Sequence, residues 1–364
     1  MKPYDYLKSY EENYDNGPFF ELTEEARLKL SEMPSLPKKD LLGFSLNSTV
    51  GIAAGPLLNS NWIKFYAEMG FDLLTYKTVR NVERACHPWP NAMIIHPDHF
   101  LTASDIKQSI TADTVEPEDL SQLSITNSYG MPSKAPDEWM DDVKQANSYL
   151  KDGQLMVVSV VGTPGNKGEG LNALAEDYAE TAAKAVEAGA KAIEVNFSCP
   201  NVKGSEGGIF QSPEASGKIA EKTREAIGDN TKLLVKLGFY PDKAQADSVI
   251  TAIAPNVDAA VAINTMPMKV YDKDGNQALP GEGRLVSGIC GNTIRKAALE
   301  TVKNIKQIID ARGLDLSLVG VGGIMSPDHA LEYYDAGVDA IEMATSIMWN
   351  PFMALEIKKA LAER

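Results

Sequence analysis

The chain has 364 residues, 44% apolar and 23% charged, which is enough to bury a sizeable core, and barrels of about 250 residues fold as one unit. With 35 Lys and Arg against 50 Asp and Glu, its formal charge of −15 disfavours a generic binder of nucleic acid or anionic membrane, because a phosphate surface demands a basic face. Its three cysteines, Cys86, Cys199 and Cys290, fit no zinc or disulfide spacing, so no metal is expected; without an apolar leader or a long apolar run, a cytoplasmic chain lacking a membrane span is expected.

Residues 1–45 are expected to be an extension, helical over 22–33, packed on a barrel that fills 46–364, over its bottom or at an oligomer contact. From residue 48 short β-rich apolar runs alternate with stretches of helical period. Strands are expected at 48–55, 73–79, 155–162, 192–199, 233–238, 259–265, 317–323 and 340–345. Near-continuous apolar character, as in Val157-Val158-Ser159-Val160-Val161, suits parallel strands covered on both faces. After the second strand, residues 81–135 make a long, proline-dotted connection, of a length that in compact domains is functional or mobile. Helices are expected at 171–188, 292–311, 327–336 and 351–361; in the first, Leu171, Leu174, Tyr178, Ala182 and Ala185 share one stripe. Eight βα units with right-handed crossovers predict an α/β fold, a closed (β/α)8 TIM barrel. A doubly wound sheet is the alternative, but Gly51-Ile52-Ala53-Ala54-Gly55 lacks the dinucleotide-binding glycine spacing.

In a barrel the strand C-termini converge on the active site. Here the first strand ends in Ala53-Ala54-Gly55, the second in Lys77-Thr78, the fourth in Asn196 and Cys199, the fifth in Lys236 and the sixth in Asn264-Thr265. Burying such polar groups costs several kcal/mol unless they are paired, so they are expected to face a ligand cavity. Gly320-Val321-Gly322-Gly323 and Ala344-Thr345 end the last two strands and leave backbone N–H groups unobstructed where barrels bind phosphate. Cys199 follows Ser198 and precedes Pro200 on a loop containing Gly204, Gly207 and Gly208. It is either a small buried hydrophobe or, with an unperturbed pKa of about 8.5, a base for a weakly acidic carbon. Lys236 and Lys77 either snorkel to water or balance negative charge on a cofactor. Cys290 is placed near the phosphate site through its backbone, and Cys86 has no role. His87, His96, His99 and His329 are too scattered for a triad, and the first three are expected on the surface.

Val195-Asn196-Phe197-Ser198-Cys199-Pro200-Asn201 resembles the signature loop of dihydroorotate dehydrogenases, of the soluble (class 1) type that carries Cys where the membrane class carries Ser. Further segments resemble family positions in the same order: Ala53 to Gly55, Tyr76-Lys77-Thr78, Asn127-Ser128-Tyr129-Gly130-Met131-Pro132, Val235-Lys236-Leu237, Ile263-Asn264-Thr265, Ser287 to Gly291, Gly322-Gly323-Ile324 and Ala344-Thr345. The resemblance implies FMN across the strand ends, with its phosphate on Gly291, Gly322, Gly323, Ala344 and Thr345. It implies Ala53, Ala54, Gly55, Thr78, Asn196 and Ile263 around the flavin and Lys236 at its N1–O2 edge, with Lys77 touching flavin or substrate. A dihydropyrimidine would be held by Asn127, Asn196, Asn201, Asn264 and Thr265 and by the backbone of Tyr129, Gly130 and Met131; an asparagine both donates and accepts, matching an imide edge.

The implied reaction is oxidation of dihydroorotate to orotate in pyrimidine biosynthesis, with Cys199 as base and hydride transfer to flavin N5. The chain departs from the pattern in the length of the loop after the second strand, in Met266-Pro267-Met268, in the long 272–283 stretch and in Ala344 where glycine is common. Two other readings stay open: a related flavin enzyme acting on another dihydropyrimidine or cyclic amide, and a flavin- or phosphate-binding barrel without turnover. Fumarate, a quinone, or NAD through an iron–sulfur partner subunit stay open as electron acceptor, and a homodimer is the default assembly.

Overall fold

The computed structural model describes residues 2–198 and 205–364. In chain order its strands are β1 (Lys39–Leu41), β2 (Phe44–Leu46), β3 (Val50–Ile52), β4 (Leu73–Val79), β5 (Ala92–Ile95), β6 (Ser109–Asp113), β7 (Ser124–Asn127), β8 (Leu155–Val160), β9 (Ala192–Asn196), β10 (Lys232–Lys236), β11 (Ala259–Ala262), β12 (Met266–Tyr271), β13 (Val286–Gly291), β14 (Ser317–Val321) and β15 (Ala340–Met343). A closed parallel barrel runs β3-β4-β8-β9-β10-β11-β14-β15. These are the eight strands expected from the apolar runs. Every residue of β3, β4, β8, β11 and β15 is buried, as strands covered on both faces require. β3 and β11 stop sooner than expected, at Ile52 and Ala262, so 53–55 and 263–265 are turn and loop at the barrel mouth.

Some of the helices between strands start at side-chain caps. Ser212 accepts from the Ala215 amide ahead of Pro213–Ile227, and Ser326 accepts from the His329 amide ahead of Pro327–Asp335. In both, proline occupies the first turn, where no intrahelical N–H is needed. Helix Leu171–Glu187 buries Leu174, Tyr178, Ala182 and Ala185 against the sheet, the stripe read from its sequence, while Leu171 is only partly buried.

The connection over 81–135 is more ordered than its sequence suggests. It carries β5, β6 and β7, which close a second, five-stranded barrel with β12 and β13 in the order β12-β13-β7-β5-β6. β7 runs antiparallel to both β5 and β13, with Asn127 opposite Ala92 on one side and Gly288 on the other. The Met266-Pro267-Met268 segment is the start of β12, in which Met266, Met268 and Val270 are buried in strict alternation. These strands are short, and β6 and β7 each complete their pairing with a strand far downstream, β12 and β13, so no local period announces them.

The N-terminal residues serve both ends of the barrel. The β1–β2 hairpin packs Leu41 and Leu46 against Leu73, Leu155, Ala192, Leu234 and Ala259, closing the floor where the strands begin. The preceding stretch runs to the opposite end, where helix Tyr10–Asn16, capped by Ser9 and Glu12, docks on Trp62. The buried Trp62 indole donates to the Asn13 carbonyl at 3.2 Å; truncating an aromatic this deeply packed costs about 3–5 kcal/mol. Among the described residues no helix is long and apolar enough to cross a membrane.

Candidate active site

One cavity of about 1290 Å³, counted out to its open rim, lies at the C-terminal mouth of the large barrel, under the second sheet. It collects Ala53, Ala54, Gly55, Lys77, Thr78, Asn196, Lys236, Ile263, Asn264 and Thr265 from the strand ends and turns of the large barrel, Asn127 and Gly291 from the second sheet, Tyr129, Gly130 and Met131 from the loop after β7, and Gly322, Gly323, Ala344 and Thr345 from the last two βα turns. Each expected site residue within the described chain therefore lines the same space. Cys199 and Asn201 lie outside the described residues.

The cavity asparagines are held by hydrogen bonds. Asn127 donates to the Cys290 sulfur at 3.2 Å, and Asn196 Oδ1 accepts from the Ser198 amide at 3.1 Å. Asn264 donates to the Ser198 carbonyl, so two of these asparagines grip the residue just before Cys199. Thr265 Oγ1 is buried against Gly288 without a hydrogen-bond partner among the described residues. Met131 is one of two non-glycine residues described with left-handed backbone, at φ 51°, and its carbonyl accepts from Arg80 Nε at 3.1 Å. The wholly buried Arg80 thus fixes a conformation that costs free energy elsewhere.

At the other side, Gly322 and Gly323 adopt φ 128° and 70°, regions that favour glycine. A Cβ on Gly323 would lie 2.6 Å from Arg295 Cβ, whereas a Cβ on Gly55 would project into open cavity. The Cys290 thiol is pushed up by burial, with Thr345 and Asn127 drawing it back through hydrogen bonds. Cys290 is therefore a neutral group in the cavity wall.

Four features escaped the sequence reading. Tyr4 and Tyr10, from the N-terminal stretch, close part of the cavity wall; the Tyr4 hydroxyl donates to that of Tyr129 at 3.0 Å, and burial raises both phenols. His87, expected on the surface, is half-buried with Nδ1 3.2 Å from Ser128 Oγ, and burial together with Arg284 and Arg84 lowers its pKa to about 4. Arg284 is buried behind Ser128. Beneath Lys236 lie two buried carboxylates, Glu194 and Glu342. Burial raises both, Glu342 to about 7, while Lys236 pulls them back; its Nζ is 3.8 Å from Glu342 Oε2. Their signal was present: Ala192-Ile193-Glu194 and Ala340-Ile341-Glu342 each set a charge inside an otherwise apolar strand.

Residues 116–364 match the family model described as dihydroorotate dehydrogenase. A dihydroorotate dehydrogenase of Dictyostelium discoideum is 40% identical over 358 residues, covering 97% of this chain and 95% of that protein. The catalytic subunit of an NAD-linked dihydroorotate dehydrogenase B of Methanocaldococcus jannaschii is 27% identical over 62% of this chain and 67% of its own. In fold, the chain is similar to the crystal structure of DHODH in complex with ferulenol from Eimeria tenella, with a TM-score of 0.68 over 93% of this chain and 88% of that one at 17% identity.

Proposed function

The chain belongs to the dihydroorotate dehydrogenase family, and on that premise we propose that it oxidises dihydroorotate to orotate in pyrimidine biosynthesis with FMN as its cofactor. The observation that carries the reading is the convergence of Lys77, Lys236 and the three described asparagines on one cavity beside the glycine turns that follow the last two barrel strands. A concave space into which a few polar groups converge from otherwise apolar strands is the usual form of a ligand site.

The residues present suit a flavin nucleotide. Nothing lies within 4 Å of a Cβ built at Gly55, which leaves room beside it for a ring, and the Gly322–Gly323 turn, in which side chains would clash with Ala298 and Arg295, would let backbone N–H groups approach a phosphate. When bound, a flavin supplies a two-electron acceptor for hydride leaving carbon. Gly291, Gly322, Gly323, Ala344 and Thr345 would hold its phosphate; Ala53, Ala54, Gly55, Thr78, Asn196 and Ile263 would surround its ring. Lys236 would place a positive charge where negative charge develops, which is the most effective use of a fixed charge in a dry site. Lys77, Asn127, Asn196, Asn264, Thr265 and the backbone of Tyr129, Gly130 and Met131 would orient the substrate, joined by Asn201.

Cys199 would act as the base. Its thiolate accepts the proton from the substrate carbon next to a carbonyl, and the neighbouring carbon gives up hydride, leaving a carbon–carbon double bond. Residues 1–45 are read as an extension whose tyrosines complete the wall of the FMN-binding barrel, 46–364. The same reading places the chain in the cytoplasm as a homodimer, with fumarate, a quinone, or NAD through an iron–sulfur subunit reoxidising the enzyme. The purified protein is expected to be yellow and to release one FMN per chain on denaturation. A colourless protein that takes up no FMN would remove this reading.

A further inference from the structure

Glu194 on β9 and Glu342 on β15 have no part in the chemistry above, yet Glu194 lines the cavity and the wholly buried Glu342 lies 3.8 Å from the Lys236 ammonium. One oxygen of each carboxyl is satisfied by a hydroxyl. Ser159 donates to Glu194 Oε1 at 2.8 Å, and Thr75 donates to Glu342 Oε1 at 2.6 Å. The other oxygen of each, Oε2, is buried with no hydrogen-bond partner among the described residues. The strands flanking Glu342 present Gly51 and Val321 beside it, and those flanking Glu194 present Ser159 and Leu234. Lys236 is the cation acting on both carboxyls; Lys77, farther out at the end of β4, is the next charged group in the cavity.

Two carboxylates and one ammonium, all ionised, would leave a net negative charge on buried side chains, at a cost of several kcal/mol. A proton shared between the carboxyls removes that cost, and neither Oε2 accepts a hydrogen bond among the described residues, Glu342 Oε2 facing the Lys236 ammonium at 3.8 Å, so either can carry it. We propose that Glu194 and Glu342 hold one proton between them and bind a second when negative charge is placed on Lys236, so that the three residues form a proton-coupled counter-ion under the cofactor. This rests on the flavin reading. Hydride delivery adds one negative charge above Lys236; the compensating proton comes from solvent to the carboxyl pair and returns to solvent on reoxidation, and neither carboxyl is oxidised or reduced. Glu342 is thus a positioning residue that acts through Lys236.

The test measures the midpoint potential of bound flavin across neutral pH in the wild type, Glu342→Gln and Glu194→Gln. In the wild type, proton uptake should rise above one proton per two electrons. In either Gln variant it should fall to one, with reduction favoured on the order of tenfold on the alkaline side, about 30 mV for a two-electron couple. Identical pH slopes in the wild type and in both variants would overturn the proposal. Infrared spectra of the flavin-free protein separate this proposal from the cofactor reading: a protonated-carboxyl band near neutral pH, lost in Glu342→Gln, supports the shared proton even if no flavin binds. Absence of that band in the wild type would overturn the proposal whatever the cofactor.

Discussion

Arg284 grips Ser128 at two points, donating from Nε to the hydroxyl at 3.1 Å and from a terminal nitrogen to the carbonyl at 2.6 Å. The same guanidinium donates to the Pro88 carbonyl at 2.7 Å and is 3% exposed. It comes from the loop between β12 and β13, so the second barrel fixes the segment that presents Asn127, Tyr129, Gly130 and Met131. Hydrogen bonds from a charged donor contribute about 1.5–3 kcal/mol each. Arg284→Met is therefore expected to lower the melting temperature and raise KM for dihydroorotate at least about tenfold, with a smaller change in kcat, because the lost contacts orient bound substrate. Arg284→Lys should fall between. Steady-state kinetics check this; a kcat loss at constant KM would show that Arg284 does something else.

The base assignment is tested by chemistry at Cys199. General bases contribute about 100- to 10,000-fold, so Cys199→Ala should slow reduction of the bound flavin by dihydroorotate by that order. Cys199→Ser should retain part of the rate and move its pH profile upward, since a hydroxyl gives up its proton less readily than a thiol. Stopped-flow reduction over a pH series reads both. An unchanged alanine rate would end the assignment.

The buried carboxyls should also govern stability. Burial raises Glu342 from 4.5 to about 7, so the folded state binds its proton more tightly than the unfolded state does. The stabilisation from that bound proton is full below the unfolded value and is lost as pH rises toward the folded one. Glu342→Gln has no such loss. Relative to wild type, its melting temperature should gain between about pH 5 and about pH 8, measured on flavin-free protein by calorimetry. A gap that stays constant with pH contradicts this.

At the opposite end of the barrel, Lys358 from the C-terminal helix Met353–Ala362 donates to Asp72 Oδ2 at 2.6 Å, and Ser48 donates to the same oxygen at 2.6 Å. Both charged side chains are nearly inaccessible, 6% and 3% exposed. Lys358→Met strands the carboxylate and should cost about 3–5 kcal/mol in chemical denaturation. Adding Asp72→Asn should restore much of that loss, since the charge is then gone. Independent, additive losses would show that the pair does not act as a unit.

The large barrel was legible because its strands are continuous apolar runs and its ligand groups break those runs at one end: Lys77, Asn196 and Lys236 each follow buried residues. The second barrel was not. Ser109–Asp113 buries only Ala112, and β7 finds its partner β13 only through the tertiary fold. Tyr4 and Tyr10 reach the cavity because Trp62 and Asn13 dock the N-terminal stretch, a contact between segments that share no local pattern. Glu194 and Glu342 were visible as charges inside apolar strands, but which face of the barrel they occupy depends on closure of the sheet.

The most direct test of the central claim is anaerobic addition of dihydroorotate to the FMN-loaded protein, following flavin absorbance and orotate together. Bleaching of the flavin with one orotate formed per flavin reduced is the expected result. A flavin that stays oxidised under excess dihydroorotate, yet bleaches with another dihydropyrimidine or cyclic amide, would contradict it.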